Sequence, residues 1–265
     1  MRIGVVQTNP AFAKVDANLR RVGELLASSR ADLWVLPEFC ASGYQFTSLE
    51  EVTALAEPVP GGRTTVWLAE FARATGAYLV AGLPEWDGNR LRNTAILVGP
   101  AGLVARYRKV HLFGEEKRWF SSGEEPFPVS DIGLCRVGMM VCFDHLFPEA
   151  ARTLALAGAD LLAHPANLVL PGVGQLTMRV RALENRVFAA TANRVGIEAR
   201  AGEPLHFTGE SQIVSPRGDV LSCLPKEGEG VLVEEIDPCA ARQKAINRWN
   251  DLFADRRPDC YRLSP

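Results

Sequence analysis

Apolar positions along the chain follow two patterns. Short apolar runs, bounded by Pro, Gly, Asn or charged residues, lie at Arg2–Gln7, Leu33–Leu36, Tyr78–Gly82, Leu91–Val98, Val104–Arg108 and Arg136–Val141. They continue at Leu161–Ala163, Ala189–Arg194, Ser211–Ser215, Val220–Cys223 and Val231–Ile236. Runs of this length read as buried or half-buried strands. Between several of them the apolar residues recur three and four apart, which predicts helices. One helix runs from an N-cap at Asp16 through Leu19, Val22, Leu25 and Leu26 to about Ser29. Others open at Thr64, cross Ala150–Ala157, and cross Thr177–Phe188. Asp87-Gly88-Asn89 and Pro216-Arg217-Gly218-Asp219 mark hairpins, and Pro238 can start a last helix toward Asn247. Strands alternate first with helices and then with hairpins, so the expected class is a layered α/β fold.

The totals narrow this picture. At 265 residues, 47% hydrophobic and 23% charged, with no shift of composition along it, the chain reads as one domain over 1–265. The net charge of −2 gives no support for a nucleic-acid partner. No apolar run approaches the ~18 residues of a membrane span. Met1–Phe12 lacks an apolar leader core, and the six scattered cysteines read as reduced thiols, so the expected location is the cytoplasm.

Candidate chemistry gathers where strands end. Glu38 follows Leu33–Leu36, Lys109 follows Val104–Arg108, and Cys142 follows Arg136–Val141. In open α/β sheets, ligands bind outside the carboxyl ends of strands. Cys142 is also expected to precede a helix, whose N-terminus favours a thiolate. His111, His145, His164 and His206 have no distinctive spacing to it. No Cys-x-x-Cys or paired His suggests a metal, and no Gly-rich loop suggests a nucleotide cofactor. Three strand ends meeting at one edge would place a carboxylate base, a thiol nucleophile and an oxyanion-binding ammonium together. Lys109–Gly123, long and polar, reads as an active-site loop.

Longer stretches around these residues carry a resemblance. They are Leu36-Pro37-Glu38, Tyr107-Arg108-Lys109-Val110-His111-Leu112 and Gly138-Met139-Met140-Val141-Cys142-Phe143-Asp144. With Phe147-Pro148-Glu149, His164-Pro165-Ala166-Asn167, Arg181-Ala182-Leu183-Glu184-Asn185 and Asp255-Arg256-Arg257-Pro258, the chain resembles the nitrilase, or carbon–nitrogen hydrolase, superfamily nearly end to end. The resemblance implies a four-layer α-β-β-α sandwich that pairs as a homodimer. It makes Glu38 the base, Lys109 the oxyanion cation, Cys142 the nucleophile, and Glu116 a supporting carboxylate, with Glu115 the neighbouring candidate. It also implies a thioester on Cys142, with the backbone N–H of Phe143 as a second oxyanion donor.

Tyr44, Trp119, His145, Asn167 and Leu168 are then expected to line the pocket, with Arg118 as the candidate cation for a substrate carboxylate. The substrate expected is a small, mostly aliphatic amide, with an aliphatic nitrile or an N-carbamoyl amine as alternatives. Readings from other classes are an acyltransferase and a non-catalytic oligomeric binding module. The tail 248–265, carrying Trp249, Phe253 and Tyr261, is expected to pack at a subunit boundary.

Overall fold

A computed structural model of the chain describes residues 1–261; positions 262–265 of the tail lie outside the described residues. In chain order the first half has β1 (Arg2–Gln7), α1 (Val15–Ala27), β2 (Leu33–Val35), α2 (Leu49–Leu55), α3 (Arg63–Thr75), β3 (Tyr78–Trp86), β4 (Leu91–Gly99) and β5 (Gly102–Arg108). Then follow α4 (Glu116–Trp119), β6 (Val129–Asp131), β7 (Arg136–Met139), α5 (Pro148–Leu156), β8 (Leu161–Pro165), α6 (Val173–Asn185) and β9 (Phe188–Ala192). The chain closes with β10 (Ile197–Glu198), β11 (Leu205–His206), β12 (Gln212–Val214), β13 (Val220–Cys223) and β14 (Gly230–Glu235).

Two six-stranded sheets result, ordered β14-β1-β2-β3-β4-β5 and β13-β12-β9-β8-β7-β6. In each, three parallel strands (β1, β2, β3 and β7, β8, β9) are flanked by antiparallel ones. Side chains alternate along a strand, so each strand serves two layers. Ile3, Val5, Leu33 and Val35 face the core between the sheets, meeting Val137, Met139, Leu161 and Ala163. Val6, Trp34 and Leu36 face the other way and pack with Val22, Leu25 and Leu26 of α1 and Leu68 and Ala72 of α3. Leu162 and Ala189 likewise face Ala150 and Leu154 of α5 and Met178 and Ala182 of α6. This is the α-β-β-α sandwich that the resemblance implies.

The connections fix where strands end. β5 runs antiparallel to β4, and β4 antiparallel to β3, so β5 points the same way as β1, β2 and β3. A parallel bridge between Thr8, after β1, and Arg194, after β9, aligns the two sheets. The carboxyl ends of β2, β5 and β7 therefore share one edge of the sandwich.

Several local expectations are corrected. Asp16 does not cap α1; Lys14 holds the cap position and Asp16 lies in the first turn. Cys142 is not followed at once by an α-helix, because one 3₁₀ turn, Cys142–Leu146, precedes α5. α6 starts and ends earlier than Thr177–Phe188, and Phe188 already belongs to β9. The segment after Pro238 makes a 3₁₀ turn that stops at Arg242. Phe253 packs within its own chain, between the cations of Arg152 and Lys244, whereas Trp249 and Tyr261 stay exposed. Among the described residues no helix is long and apolar enough to cross a membrane.

Candidate active site

Glu38 leaves β2 but keeps strand-like contact with β3: Cys40 N–H donates to the Gly82 carbonyl and Gly82 N–H to that of Pro37. A Cβ at Gly82 would stand 2.6 Å from the Glu38 Cα, so only glycine lets the two backbones lie this close. The Glu38 side chain is fully buried. Its Oε1 accepts from Lys109 Nζ at 2.9 Å and from Asn93 Nδ2 at 2.6 Å. Its Oε2 has no donor among the described residues.

Lys109, the first residue past β5, is fastened by its N–H to the Asn93 carbonyl and by its own carbonyl to Gly123 N–H. Its buried ammonium donates to Glu38 and, at 2.8 Å, to Glu116 Oε1. An ammonium has three donors, so one remains beyond these two. Glu116 opens α4 and also accepts from the Tyr44 hydroxyl at 2.7 Å and from Phe113 N–H. Glu115 points away, into a surface pair with Arg118 at 2.8 Å. Of the two carboxylates, Glu116 joins the cluster and Glu115 does not.

Cys142 sits at φ 43°, in the left-handed region that non-glycine residues seldom adopt. Two groups hold the turn. His164 Nε2 donates to the Cys142 carbonyl at 2.9 Å, while its Nδ1 lies 3.1 Å from Thr191 Oγ1. Buried Asp144 accepts from Val141 N–H and the Tyr107 hydroxyl, each at 2.8 Å, and lies 2.7 Å from His111 Nδ1. Tyr107 and His111 flank Lys109, and Val141 and Asp144 flank Cys142. One carboxylate therefore locks the lysine loop to the cysteine turn.

Electrostatics follow from burial. Burial raises the Cys142 thiol well above its ordinary 9.0, and Glu38 adds to this against the opposing Lys109. The resting group is a thiol that needs a base. Burial likewise raises Glu38 above 4.5; Lys109 opposes this and Glu116 supports it. Burial works against the Lys109 charge, but Glu116 and Glu38 outweigh it and hold the ammonium protonated. Burial lowers His145 to about 4 and His164 to about 3, so both are neutral. No histidine is positioned as the base of this thiol in the hydrogen bonds described.

The expected pocket residues divide between two spaces. Phe143, His145, Asn167 and Leu168 line a cavity of about 20 Å³ over Cys142. Tyr44 and Trp119 instead line a chamber of about 440 Å³ with Phe46, Glu116 and Leu205. Phe113 borders both. Asn93, Tyr107 and Asp144 were missed as functional positions. Asn93 carried a signal, because a polar side chain within an apolar strand must find a partner. Among the described residues no group of three or more His, Cys, Asp and Glu is arranged to hold a metal ion.

Comparison with known proteins places the fold in a family. The family profile described as Carbon-nitrogen hydrolase matches residues 2–245. A nitrilase of Pyrococcus abyssi is 47% identical over 264 residues, 98% of this chain and 99% of that protein. The omega-amidase NIT2 of Homo sapiens is 32% identical over 278 residues, 98% of this chain and 96% of that one. Among solved structures, a variant of the amidase from Nesterenkonia sp. AN1 carries the acetamide moiety of fluoroacetamide on its active site cysteine. It superposes with a TM-score of 0.77 at 30% identity, over 93% of this chain and 94% of that one. Fold, profile and relatives agree, and the chain belongs to the carbon–nitrogen hydrolase family, the nitrilase superfamily of enzymes.

Proposed function

We propose that this enzyme hydrolyses the carboxamide of a small, mostly aliphatic compound to an acid and ammonia through a thioester on Cys142. The observation that carries this reading is the buried cluster Glu38–Lys109–Glu116 beside Cys142, with one Glu38 oxygen left without a donor. Ionised Glu38 takes the thiol proton, and the thiolate attacks the amide carbon. The remaining Lys109 N–H and the backbone N–H of Phe143 bind the oxyanion. Phe143 lies in the first turn of its 3₁₀ helix, where a backbone N–H has no partner within the helix. Protonated Glu38 passes its proton to the departing nitrogen as the C–N bond breaks. It then takes a proton from water, which attacks the thioester; the acid leaves and Cys142 regains its proton. Glu116, held by Tyr44, keeps the lysine charged and in place.

The Cys142 cavity is lined by Phe113, Phe143, Leu168, Val169 and Leu170, with His145 neutral, which suits an uncharged aliphatic acyl group. Arg118 is already paired with Glu115 at the surface. The name of the Pyrococcus abyssi relative favours a nitrile as a second substrate, attacked by the same thiolate to give a thioimidate. All six cysteines are free and three are exposed, which suits a reducing compartment such as the cytoplasm. Leu176, Val180 and Leu183, spaced along one side of α6, are exposed and form an apolar stripe suited to a second copy of the chain as a homodimer.

Ammonia release from short aliphatic amides, nitriles and N-carbamoyl amines tests the reading. Release is expected from the amides, and Cys142→Ala should abolish it while the protein stays folded. Undiminished release by that variant refutes the mechanism.

A further inference from the structure

Three acceptor oxygens around Glu38 have no donor among the described residues: Glu38 Oε2, Asn93 Oδ1 and Asn167 Oδ1. All three residues are almost completely buried. Their arrangement is not independent. Asn93 uses its NH₂ on Glu38 Oε1, and Asn167 uses its NH₂ on the Glu38 backbone carbonyl at 2.9 Å. A carboxamide is planar and short, so each unused oxygen lies within one amide width of Glu38. Asn167 also lines the cavity over Cys142 and places its backbone amide where it favours the thiolate.

Buried acceptors left without donors are costly, and native proteins seldom keep several together. Here Asn93 sits on the Glu38 carboxylate and Asn167 on the Glu38 backbone carbonyl, beside the residue proposed to deliver a proton to the leaving nitrogen. A group that satisfies them must bring N–H or O–H donors and no negative charge. A carbonyl carbon seated on Cys142 brings such a group if it carries NH₂.

We infer that Asn167 and Asn93, together with Glu38 Oε2, form an acceptor site that recognises the NH₂ group of a primary carboxamide. Asn167 is thereby a specificity residue that favours amides over substrates of the same shape without N–H donors. This rests on the amide hydrolysis proposed above, and it adds the reason for choosing that class. A nitrile offers the site no N–H until the thiolate has added to it, and a ketone or ester offers none at all. Selection of this kind is strong because a ligand lacking the donor leaves the protein acceptors unpaired.

Binding to the Cys142→Ala protein tests the inference without turnover. Propionamide and butanone have the same shape and the same carbonyl, and only propionamide carries N–H donors. Ligand-observed NMR titration should show propionamide binding more tightly than butanone. Adding Asn167→Ala should weaken propionamide by about 10-fold while moving butanone less than about twofold. Asn167→Asp keeps an acceptor there and should retain the preference.

Equal weakening of both ligands by Asn167→Ala would mean that the residue only shapes the cavity, and would overturn the inference. So would equal losses in the Ala and Asp variants, which would trace the effect to the bond with the Glu38 carbonyl. Absence of any preference in the Cys142→Ala protein, where Asn167 is unaltered, would overturn it even if Asn167→Ala failed to fold. Failure of the hydrolysis reading would show separately, as Cys142-independent ammonia release by the enzyme.

Discussion

Burial holds the Glu38 carboxyl above its ordinary 4.5, and that direction sets the acid side of the rate profile. The base must be ionised to accept the thiol proton, so activity is lost as pH falls through the folded-state pKa. Because that value is raised, the acid limb of kcat/KM should have its midpoint above 4.5, and a midpoint below it would contradict the burial argument. Cys142 and Lys109 are both held protonated beyond their ordinary ranges. No alkaline limb from either is expected up to pH 9. Lys109→Ala removes an oxyanion donor and should lower kcat by at least ~10²-fold. It also leaves two buried carboxylates unpaired, at about 3–5 kcal/mol of stability, which urea unfolding measures. Glu38, Lys109 and Cys142 were legible in the sequence as strand-end positions, Lys109 and Cys142 directly after a strand-like run and Glu38 after one closed by Pro37. Asp144 was not, and Asn93 showed only as a polar position in an apolar strand, because their partners Tyr107, His111 and Glu38 are brought close only by the assembled sandwich.

The elements divide in the same way. Strands were legible almost to the residue where one face meets the inter-sheet core and the other meets helices, as in Leu33–Val35. α2 escaped notice because only Val52 of its seven residues is buried, too little for an apolar period to show. β6 is a short edge strand of Val-Ser-Asp, whose hydrogen bonds to β7 carry no apolar signature. The 3₁₀ turn between Cys142 and α5 was not expected, because its left-handed first residue is held by Asp144 and His164 and leaves no apolar period in the sequence. Close packing between elements gives a sharp prediction at β3. Gly82→Ala would press a methyl group on the Glu38 backbone. It should cost about 1–3 kcal/mol and lower kcat more than it raises KM, since it displaces the base rather than the pocket. An unchanged kcat would show that the Glu38 segment yields without consequence.

At the scale of the whole molecule, two sheets with parallel centres face each other with their carboxyl ends aligned, and this lets residues distant in sequence form one site. The sequence placed Glu38, Lys109 and Cys142 at the ends of three separate strands. It did not show that the two sheets stack with those ends on one edge, an arrangement built on the core between the sheets and aligned by the bridge of Thr8 with Arg194. Stacking leaves the outer side of α6 uncovered. If the stripe of Leu176, Val180 and Leu183 is the pairing surface, changing Leu176 and Val180 together to Glu should convert a dimer to a monomer in sedimentation velocity. A dimer of undiminished stability would place the contact elsewhere. The central claim, that Cys142 carries the acyl group, is tested most directly by mass spectrometry of enzyme acid-quenched during turnover of a short aliphatic amide. The account predicts a mass increase equal to the acyl group on the Cys142 peptide and neither adduct nor ammonia from Cys142→Ala; continued ammonia release by that variant would contradict it.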